Sequence, residues 1–456
     1  MKVAIVGGGI SGLATAAALE VRGCETVVIE GDARAGGKVR TEVDQGFLCE
    51  WGPTGFLDRE PASRALCERL GLTDRILAAS PAAKDRFILR GGALMPVPTS
   101  PPAFLRSRLL SAKGRLRVAS EPFRSARRDG HDESVAEFGA RRIGEEAVDI
   151  LLDPMVSGIF AGDVHQLSVA SAFPRIVELE QKHGSLVRAM FAVGRERRRS
   201  GGKGGGPGGP GGELLSFRAG MQEPVDALAR RLGDRLRTGA PVEAIEKQVG
   251  TRWAVHLAGG ERIEADRLVL AIPAAGAARL LAPQDKALAE LVGGIPYANI
   301  AIVLLGLRRA QVAHSLGGFG LLIPRKEGRR VLGMIWTSTL FPGRAPEGHV
   351  LIDARIGGAT DPGAIELDDD ALEKLVRDEL GGHIGIEGPT VFRKVYRHAA
   401  GIPQYVVGHR DRLARIEREL HHLPGLYLTG NAFRGVGFND CVREAGAVAD
   451  RIATST

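Results

Sequence analysis

Two periodicities of hydrophobic residues alternate along the chain, and they predict both strands and helices. A β-rich run at residues 2–6 leads through glycines into an Ala-rich, helix-forming stretch at 13–21, and a β-branched run follows at 26–30. A strand, a glycine turn, a helix and a second strand in this order predict a β-α-β unit at the N-terminus.

The rest of the chain divides into a helical part and a strand-rich part. Residues from about 57 to 200 have a mostly helical pattern, interrupted by prolines near residue 100. Short hydrophobic runs separated by Gly-containing turns then predict strands. The predicted strands are residues 242–245, 253–257, 267–272, 297–307, 319–323, 331–337, 350–356 and 426–430. A closing helix is predicted at 437–454.

Composition supports a globular protein of two or three domains, since 44% of the 456 residues are hydrophobic and 25% are charged. Residues 201–212 are the exception, with nine Gly, two Pro and one Lys. That segment has almost nothing to bury, which predicts a flexible surface loop.

Charge and cysteine usage narrow the class of partner and compartment. The chain has 61 Lys and Arg against 54 Asp and Glu, a net charge of +7. This modest excess is compatible with an anionic substrate or an anionic membrane surface. The four cysteines have no CxxC spacing, so neither a zinc site nor a disulfide framework is predicted, and no metal is expected. With no visible signal peptide, we expect a reducing, cytoplasmic location.

The first glycine turn carries the first chemical motif. Gly7, Gly9 and Gly12 form GxGxxG after a strand and before a helix, and Glu30 follows 18 residues after Gly12. The glycines allow a pyrophosphate to approach the helix N-terminus, and the acid is placed to accept hydrogen bonds from ribose hydroxyls. The motif predicts dinucleotide binding; the alternative is a glycine-rich turn without a ligand.

Three further segments resemble motifs of FAD-containing, amine-oxidase-like flavoproteins. They are Arg34-Ala-Gly-Gly37 with Arg40-Thr41, Glu50-Trp-Gly-Pro53, and Gly435-Val-Gly-Phe-Asn-Asp440. The resemblance implies FAD as cofactor, with the last segment opening a helix whose backbone N–H groups face the flavin. The alternative for that segment is a turn and helix cap. The implied cofactor-binding residues are Gly7, Gly9, Ile10, Ser11, Gly12, Glu30, Gly31, Gly37, Lys38, Gly52, Pro53, Thr54, Val242, His398, Val436, Gly437 and Phe438.

Within that superfamily, segments 82–98, 157–174, 318–342 and 401–409 resemble the oxygen-dependent protoporphyrinogen oxidases. The resemblance spans nearly the whole chain except the glycine insertion. It implies the six-electron oxidation of protoporphyrinogen IX to protoporphyrin IX, with O2 reduced to H2O2. No side chain emerges as a catalytic acid or base, because the flavin carries the chemistry.

The same resemblance implies a substrate site. Arg86 is placed to bind a substrate propionate, because its planar guanidinium binds carboxylates in a bidentate manner. An apolar slot for a flat tetrapyrrole is implied at Gly158, Phe319, Leu322, Ile335 and Phe341. The alternatives are a surface arginine, a turn glycine and ordinary strand core.

Two positions depart from the family pattern. Arg355 stands where an apolar residue is expected. If its side chain points inward, it adds a second cation to the pocket, which favours a substrate with more carboxylates, such as coproporphyrinogen III. If it points outward, it has no bearing on the substrate. Strand alternation does not decide between these directions. His398 stands where Trp is expected.

Basic residues mixed with Leu and Phe occupy residues 104–128, which match the helical, membrane-associating part of the family. They fit a helix on the inner membrane surface, or an ordinary amphipathic helix with a solvated basic face. Only Phe104 and Phe123 are aromatic there, which argues against nucleic-acid binding. The sequence does not fix the oligomeric state, and a homodimer stays open.

The predicted fold class is α/β, with a discontinuous Rossmann-like FAD-binding domain. Residues 1–56, 213–284 and 400–456 are assigned to it, 57–97 and 285–399 to a mixed-sheet substrate domain, and 98–200 to a helical domain. The alternative functions are coproporphyrinogen III oxidation, another amine-oxidase-like activity, and a flavin-binding protein without turnover. The low aromatic content, 5%, argues against an amine oxidase with an aromatic cage.

Overall fold

The structure is a computed structural model that describes residues 1–199 and 212–454. The fold is a mixed α/β structure in which two large sheets and a helical part meet. The predicted flexible loop at 201–212 lies outside the described residues, except for Gly212.

A five-stranded parallel sheet forms the first region. Its strands, in spatial order, are Leu236–Arg237, Glu25–Ile29, Lys2–Val6, Arg267–Leu270 and Leu426–Leu428. Helices Ile10–Val21, Glu223–Leu232 and Phe438–Thr454 share one hydrophobic cluster with this sheet. On its other side lie a three-stranded antiparallel sheet and two helices: Val242–Lys247, Trp253–Leu257, Arg262–Ala265, Ala274–Leu281 and Lys286–Gly293. Parallel strands covered on both sides are the expected result of β-α-β connections.

A seven-stranded mixed sheet forms the second region. Its strands, in spatial order, are Phe392–Pro403, Tyr297–Arg308, His349–Gly357, Val331–Ile335, Gly320–Leu322, Arg86–Arg90 and Ala93–Pro96. One side of the sheet packs on a hydrophobic core with helix Asp369–Val376. The other side faces helix Asp153–Phe160 and the loop at Gly52, and it carries the residues of the candidate site.

The helical part covers one end of the second sheet. Its main helices are Pro101–Arg106, Ala112–Ala119, Val135–Arg142, Asp153–Phe160, Pro174–His183 and Leu186–Arg199. Fully buried Arg142 contacts fully buried Glu121, and Glu121 also accepts hydrogen bonds from Ser185 and the N–H of Leu186. This network ties three helical segments together.

The remaining elements connect these regions. Small sheets pair Thr41–Asp44 with Phe47–Glu50, and Leu214–Phe217 with both Phe56–Leu57 and Ile76–Ala78. The other helices are Pro61–Arg69, Glu145–Ala147, Val148–Leu152, Val169–Ala172, Thr337–Leu340, Arg377–Gly381, Gly382–Ile384 and His409–Leu420. Among the described residues, every helix is too short or too polar to cross a bilayer.

The mostly helical pattern predicted for 57–200 is wrong between residues 76 and 96, where three strands lie. The hydrophobic runs there are too short for periodicity to separate strand from helix, and distant partners decide. Strand Phe392–Pro403 was not predicted because its sequence is rich in Arg, Lys and His, as suits an edge strand with one polar side. The strand predicted at 331–337 ends at Ile335, because Thr337–Leu340 is helical.

Candidate active site

The glycine turn after the first strand is tightly packed on one side and open on the other. Gly7 follows strand Lys2–Val6 with φ of +109°, and helix Ile10–Val21 begins three residues later. A Cβ atom added at Gly12 would lie 2.0 Å from the carbonyl oxygen of Gly7, whereas one added at Gly9 would meet no protein atom within 4 Å. The turn therefore requires glycine at 12 and leaves space over Gly9 for a ligand to approach the backbone.

Glu30 lies beside this turn, directly after strand Glu25–Ile29. Its carboxylate accepts hydrogen bonds from the backbone N–H groups of Gly8, at 2.6 Å, and Asp32, at 2.9 Å. These contacts fix the carboxylate at the carboxyl end of the parallel strands, where ligands bind in folds of this kind.

Four further sequence-predicted residues border this end of the site. Ile10 and Ser11 are the first residues of the helix and are buried. A Cβ atom at Gly31 would lie 3.7 Å from Cα of Pro241, and buried Val242 comes next in the chain. The start of the antiparallel sheet therefore lies alongside the turn that follows Glu30.

The next two motif segments pack against the glycine turn and against each other. A Cβ atom at Gly37 would lie 3.5 Å from Cα of Gly9, and one at Gly52 would lie 2.5 Å from the carbonyl oxygen of Lys38. The loop of Gly52, Pro53 and Thr54 is thereby held alongside Lys38.

Lys38 connects this region to the second sheet. Its Nζ donates to the carbonyl oxygens of Ala400, at 3.0 Å, and Gly401, and lies 5.7 Å from the centre of the Tyr297 ring. Burial lowers the pKa of Lys38 to about 8. Its hydrogen bonds are made to backbone carbonyls, so the side chain holds the end of strand Phe392–Pro403 against the glycine motifs.

His398 lies on the same strand and contacts the loop from the other direction. Its Nε2 is 2.7 Å from the carbonyl oxygen of Trp51. Burial, together with the cations Lys38 and Arg355, lowers the pKa of His398. The ring donates its Nε2–H to the Trp51 carbonyl, since a carbonyl only accepts.

The C-terminal motif begins the last helix, Phe438–Thr454, as the sequence predicts. The ring of Phe438, the first residue of this helix, lies 5.2 Å from the ring of Phe56. Val436 packs against the helical part, and the N–H of Gly437 donates to Asp440 at 3.1 Å. Residues 436–438 therefore lie between the segment around Phe56 and the helical part, at the start of the helix that packs on Ile10–Val21.

The second sheet turns three predicted substrate residues to one side. Arg86 is paired with Gly320, and Gly320 is paired with Ile335, in neighbouring strands. Leu322 follows two residues after Gly320 and so extends from the same side. Side chains that are far apart in the chain thus form one wall.

Helix Asp153–Phe160 covers part of this wall. A Cβ atom at Gly158 would lie 2.7 Å from Cδ2 of Leu322, so the helix approaches as closely as a glycine permits. Phe319, Ile335 and Phe341 share one hydrophobic cluster. Phe341, predicted to line the slot, has no exposed surface and packs within this cluster.

Arg86 has no carboxylate within ion-pair distance among the described residues. The side chain is exposed, and its guanidinium lies 5.2 Å from the centre of the Phe319 ring. Surrounding protein still desolvates the group enough to lower its pKa. A charged, unneutralised guanidinium beside apolar side chains is suited to bind an anionic ligand.

Arg355 extends from the same side of the sheet as Ile335, which settles the direction that strand alternation left open. Its Nε and Nη2 each lie 2.8 Å from an oxygen of Asp353, and Nη2 also donates to the carbonyl of Gly52 at 3.2 Å. The side chain points inward, but its charge is already neutralised. Asp353 was missed by sequence analysis; the Asp-x-Arg spacing within one predicted strand was the available signal.

The site combines two parts: a parallel sheet with a glycine turn and an acid at its strand ends, and a second sheet that bears an apolar wall. This combination defines the class of dinucleotide-dependent oxidoreductases. The model of the family described as flavin containing amine oxidoreductase matches residues 10–453. The chain belongs to this family and is a flavin-dependent oxidase with FAD as its cofactor. The residues present fit that group, since backbone space is open over Gly9 and the Glu30 carboxylate lies at the strand ends.

Curated relatives extend over nearly the whole chain. The chain is 31% identical to the coproporphyrinogen III oxidase of Bacillus subtilis (strain 168), over 99% of this chain and 97% of that protein. It is 32% identical to the chloroplastic protoporphyrinogen oxidase of Nicotiana tabacum, over 98% of this chain and 84% of that protein.

A solved structure with a similar fold comes from Exiguobacterium sp. 255-15, from a protein assigned as a protoporphyrinogen oxidase. It matches with a TM-score of 0.84 and 28% identity, over 100% of this chain and 99% of that one. A reduced UDP-galactopyranose mutase matches with a TM-score of 0.74 at 18% identity, over 100% and 96% of the two chains, which reflects the fold alone.

We expect Gly12→Ala to weaken FAD binding at least about tenfold, because the added methyl group would overlap the carbonyl oxygen of Gly7. Flavin absorbance per mole of purified protein and titration of the flavin-free protein with FAD measure the effect. Gly446→Ala is the matched control, because this helical glycine has no protein atom within 4 Å of an added Cβ. Equal flavin content in both variants would contradict the prediction.

Proposed function

We propose that this protein oxidises protoporphyrinogen IX to protoporphyrin IX in porphyrin biosynthesis. The substrate loses six hydrogens in three two-electron steps, and each step reduces one O2 to H2O2. The observation that carries the proposal is the unpaired Arg86 guanidinium at the edge of an apolar wall. The names of the full-length relatives support the same substrate class.

Arg86 binds and orients the substrate. Its guanidinium is free of carboxylate partners among the described residues and lies against the ring of Phe319. A propionate that pairs with it places the macrocycle over Leu322 and Ile335. A bidentate pair fixes direction as well as position, which orients a flat substrate.

The wall itself excludes water. Leu322, Ile335 and Phe319 present apolar surface, and helix Asp153–Phe160 comes close at Gly158. A flat tetrapyrrole core fits such a slot, and its burial removes water from the reacting region. FAD, when bound, supplies the electron-accepting chemistry.

Coproporphyrinogen III is the second candidate substrate. Two observations favour it: the identity to the Bacillus subtilis relative, and the inward direction of Arg355. The Asp353 carboxylate neutralises that arginine, which leaves protoporphyrinogen IX as the better match.

The decisive experiment is anaerobic mixing of the flavin-loaded protein with either porphyrinogen. We expect the flavin absorbance to bleach fast with protoporphyrinogen IX, and more slowly with coproporphyrinogen III. Faster bleaching by coproporphyrinogen III would identify that porphyrinogen as the substrate instead. Unchanged flavin with both would rule out porphyrinogen oxidation.

We expect Arg86→Ala to raise KM for protoporphyrinogen IX roughly 10- to 150-fold, the equivalent of about 1.5–3 kcal/mol for a hydrogen bond to a charged group. Steady-state kinetics at unchanged flavin content measure it. Arg86→Lys keeps the charge without the planar fork and should give an intermediate KM. Exposed Arg69 on helix Pro61–Arg69 provides the control, Arg69→Ala. An unchanged KM in Arg86→Ala would remove Arg86 from the site.

We also infer that the protein associates with the inner, anionic face of the cytoplasmic membrane. Leu116 and Phe123 expose 72% and 87% of their surface in a region with exposed Lys113 and Arg124. Apolar side chains among cations suit an anionic lipid surface.

Co-sedimentation with phosphatidylglycerol vesicles, compared with phosphatidylcholine vesicles, tests this location. Phe123→Ser should reduce the vesicle-bound fraction at least about threefold, because one apolar ring no longer inserts. Val249→Ser, at a residue 93% exposed in the turn between strands Val242–Lys247 and Trp253–Leu257, serves as control. Equal binding by both variants, or none by the parent protein, would contradict membrane association.

A further inference from the structure

A buried carboxylate faces the candidate substrate side of the second sheet. Asp353 lies in the interior strand His349–Gly357 and is only 1% exposed. It accepts two hydrogen bonds from Arg355, both at 2.8 Å, in a bidentate pair within one strand. Such a pair places a fixed negative charge next to a fixed positive one, so the local net charge is close to zero.

The strand register places this pair opposite Arg86. Asp353 is paired with Ile335, Ile335 with Gly320, and Gly320 with Arg86. Three strand spacings separate Asp353 from Arg86, a distance of about 14 Å. The two charged positions therefore lie at opposite ends of the row that contains Ile335.

The next set of residues paired across these strands connects Arg355 to the same apolar slot. Arg355 is paired with Gly333, and Gly333 is paired with Leu322. Because Gly333 carries no side chain, nothing on that strand stands between the Arg355 guanidinium and Leu322. The other cation nearby, Lys38, donates to the carbonyl oxygens of Ala400 and Gly401. A carboxylate arriving at this end of the slot would therefore meet an Arg355 guanidinium that Asp353 already neutralises, and a Lys38 ammonium that already donates to two backbone carbonyls.

The two candidate substrates differ in the edge that would reach this end. Protoporphyrinogen IX carries propionates on two neighbouring pyrrole rings and vinyl groups on the other two. Coproporphyrinogen III carries a propionate on every ring. If Arg86 binds one propionate edge, the opposite edge is apolar in the first substrate and anionic in the second.

We propose that Asp353 is the specificity-determining residue, because it neutralises Arg355 and so makes the end of the slot opposite Arg86 accept a vinyl edge and reject a propionate edge. This inference rests on the proposed function. It works by withholding a countercharge: Arg86 attracts the propionate edge, whereas the nearly neutral Asp353–Arg355 pair does not compensate an anionic edge for its lost hydration.

Asp353→Asn tests the inference, because it removes the negative charge with little change of shape. The freed Arg355 should raise kcat/KM for coproporphyrinogen III relative to protoporphyrinogen IX at least about tenfold. Adding Arg355→Gln to this variant should return the ratio towards the parent value. The control is Asp370→Asn, which removes an aspartate that pairs with Arg393 on the other side of the same sheet.

Arg355→Gln alone is the second variant, for use if Asp353→Asn loses its flavin. It leaves the Asp353 charge without a partner and should lower the ratio at least about tenfold. A ratio that stays constant in every flavin-containing variant would overturn the role of Asp353, and so would a parent protein that prefers coproporphyrinogen III. A parent protein that oxidises neither porphyrinogen would instead refute the proposed function.

Discussion

A one-residue slip in the seven-stranded sheet would turn Arg86, Leu322 and Ile335 into the hydrophobic core and move Leu321 and Met334 to the site. Strand pairing is therefore the constraint on which the site depends, because side chains alternate between the two sides. The hydrophobic side stabilises this register. Burial of one side thus positions the polar residues of the other.

The FAD region is built in a different way, from tight backbone packing. Gly12 and Gly52 each lie where a Cβ atom would overlap a carbonyl oxygen, and Lys38 reaches across to the second sheet. The Lys38 contacts join segments that are 362 and 363 residues apart in the chain. The glycine motifs are thereby joined, at the end of strand Phe392–Pro403, to the sheet that bears the apolar wall.

Local signals were sufficient to predict the first β-α-β unit and the last helix, because in both places a glycine turn directly precedes a helix-forming stretch. Strand Phe392–Pro403 could not be predicted, since its polar residues suit an edge whose neighbours are distant in the chain. The direction of Arg355 was also beyond the sequence. It depends on which side of the sheet is buried and on a partner, Asp353, whose burial results from tertiary packing.

The order of strands in the parallel sheet has a consequence for biosynthesis of the protein. Its edge strand, Leu426–Leu428, and the helix that packs on Ile10–Val21, Phe438–Thr454, come from the end of the chain. Domains form during translation only once their residues have left the ribosome. The surroundings of the first glycine turn are therefore complete only after more than four hundred further residues have been synthesised. Nascent chains would expose the apolar side of the first helix throughout that time, which makes them candidates for chaperone binding.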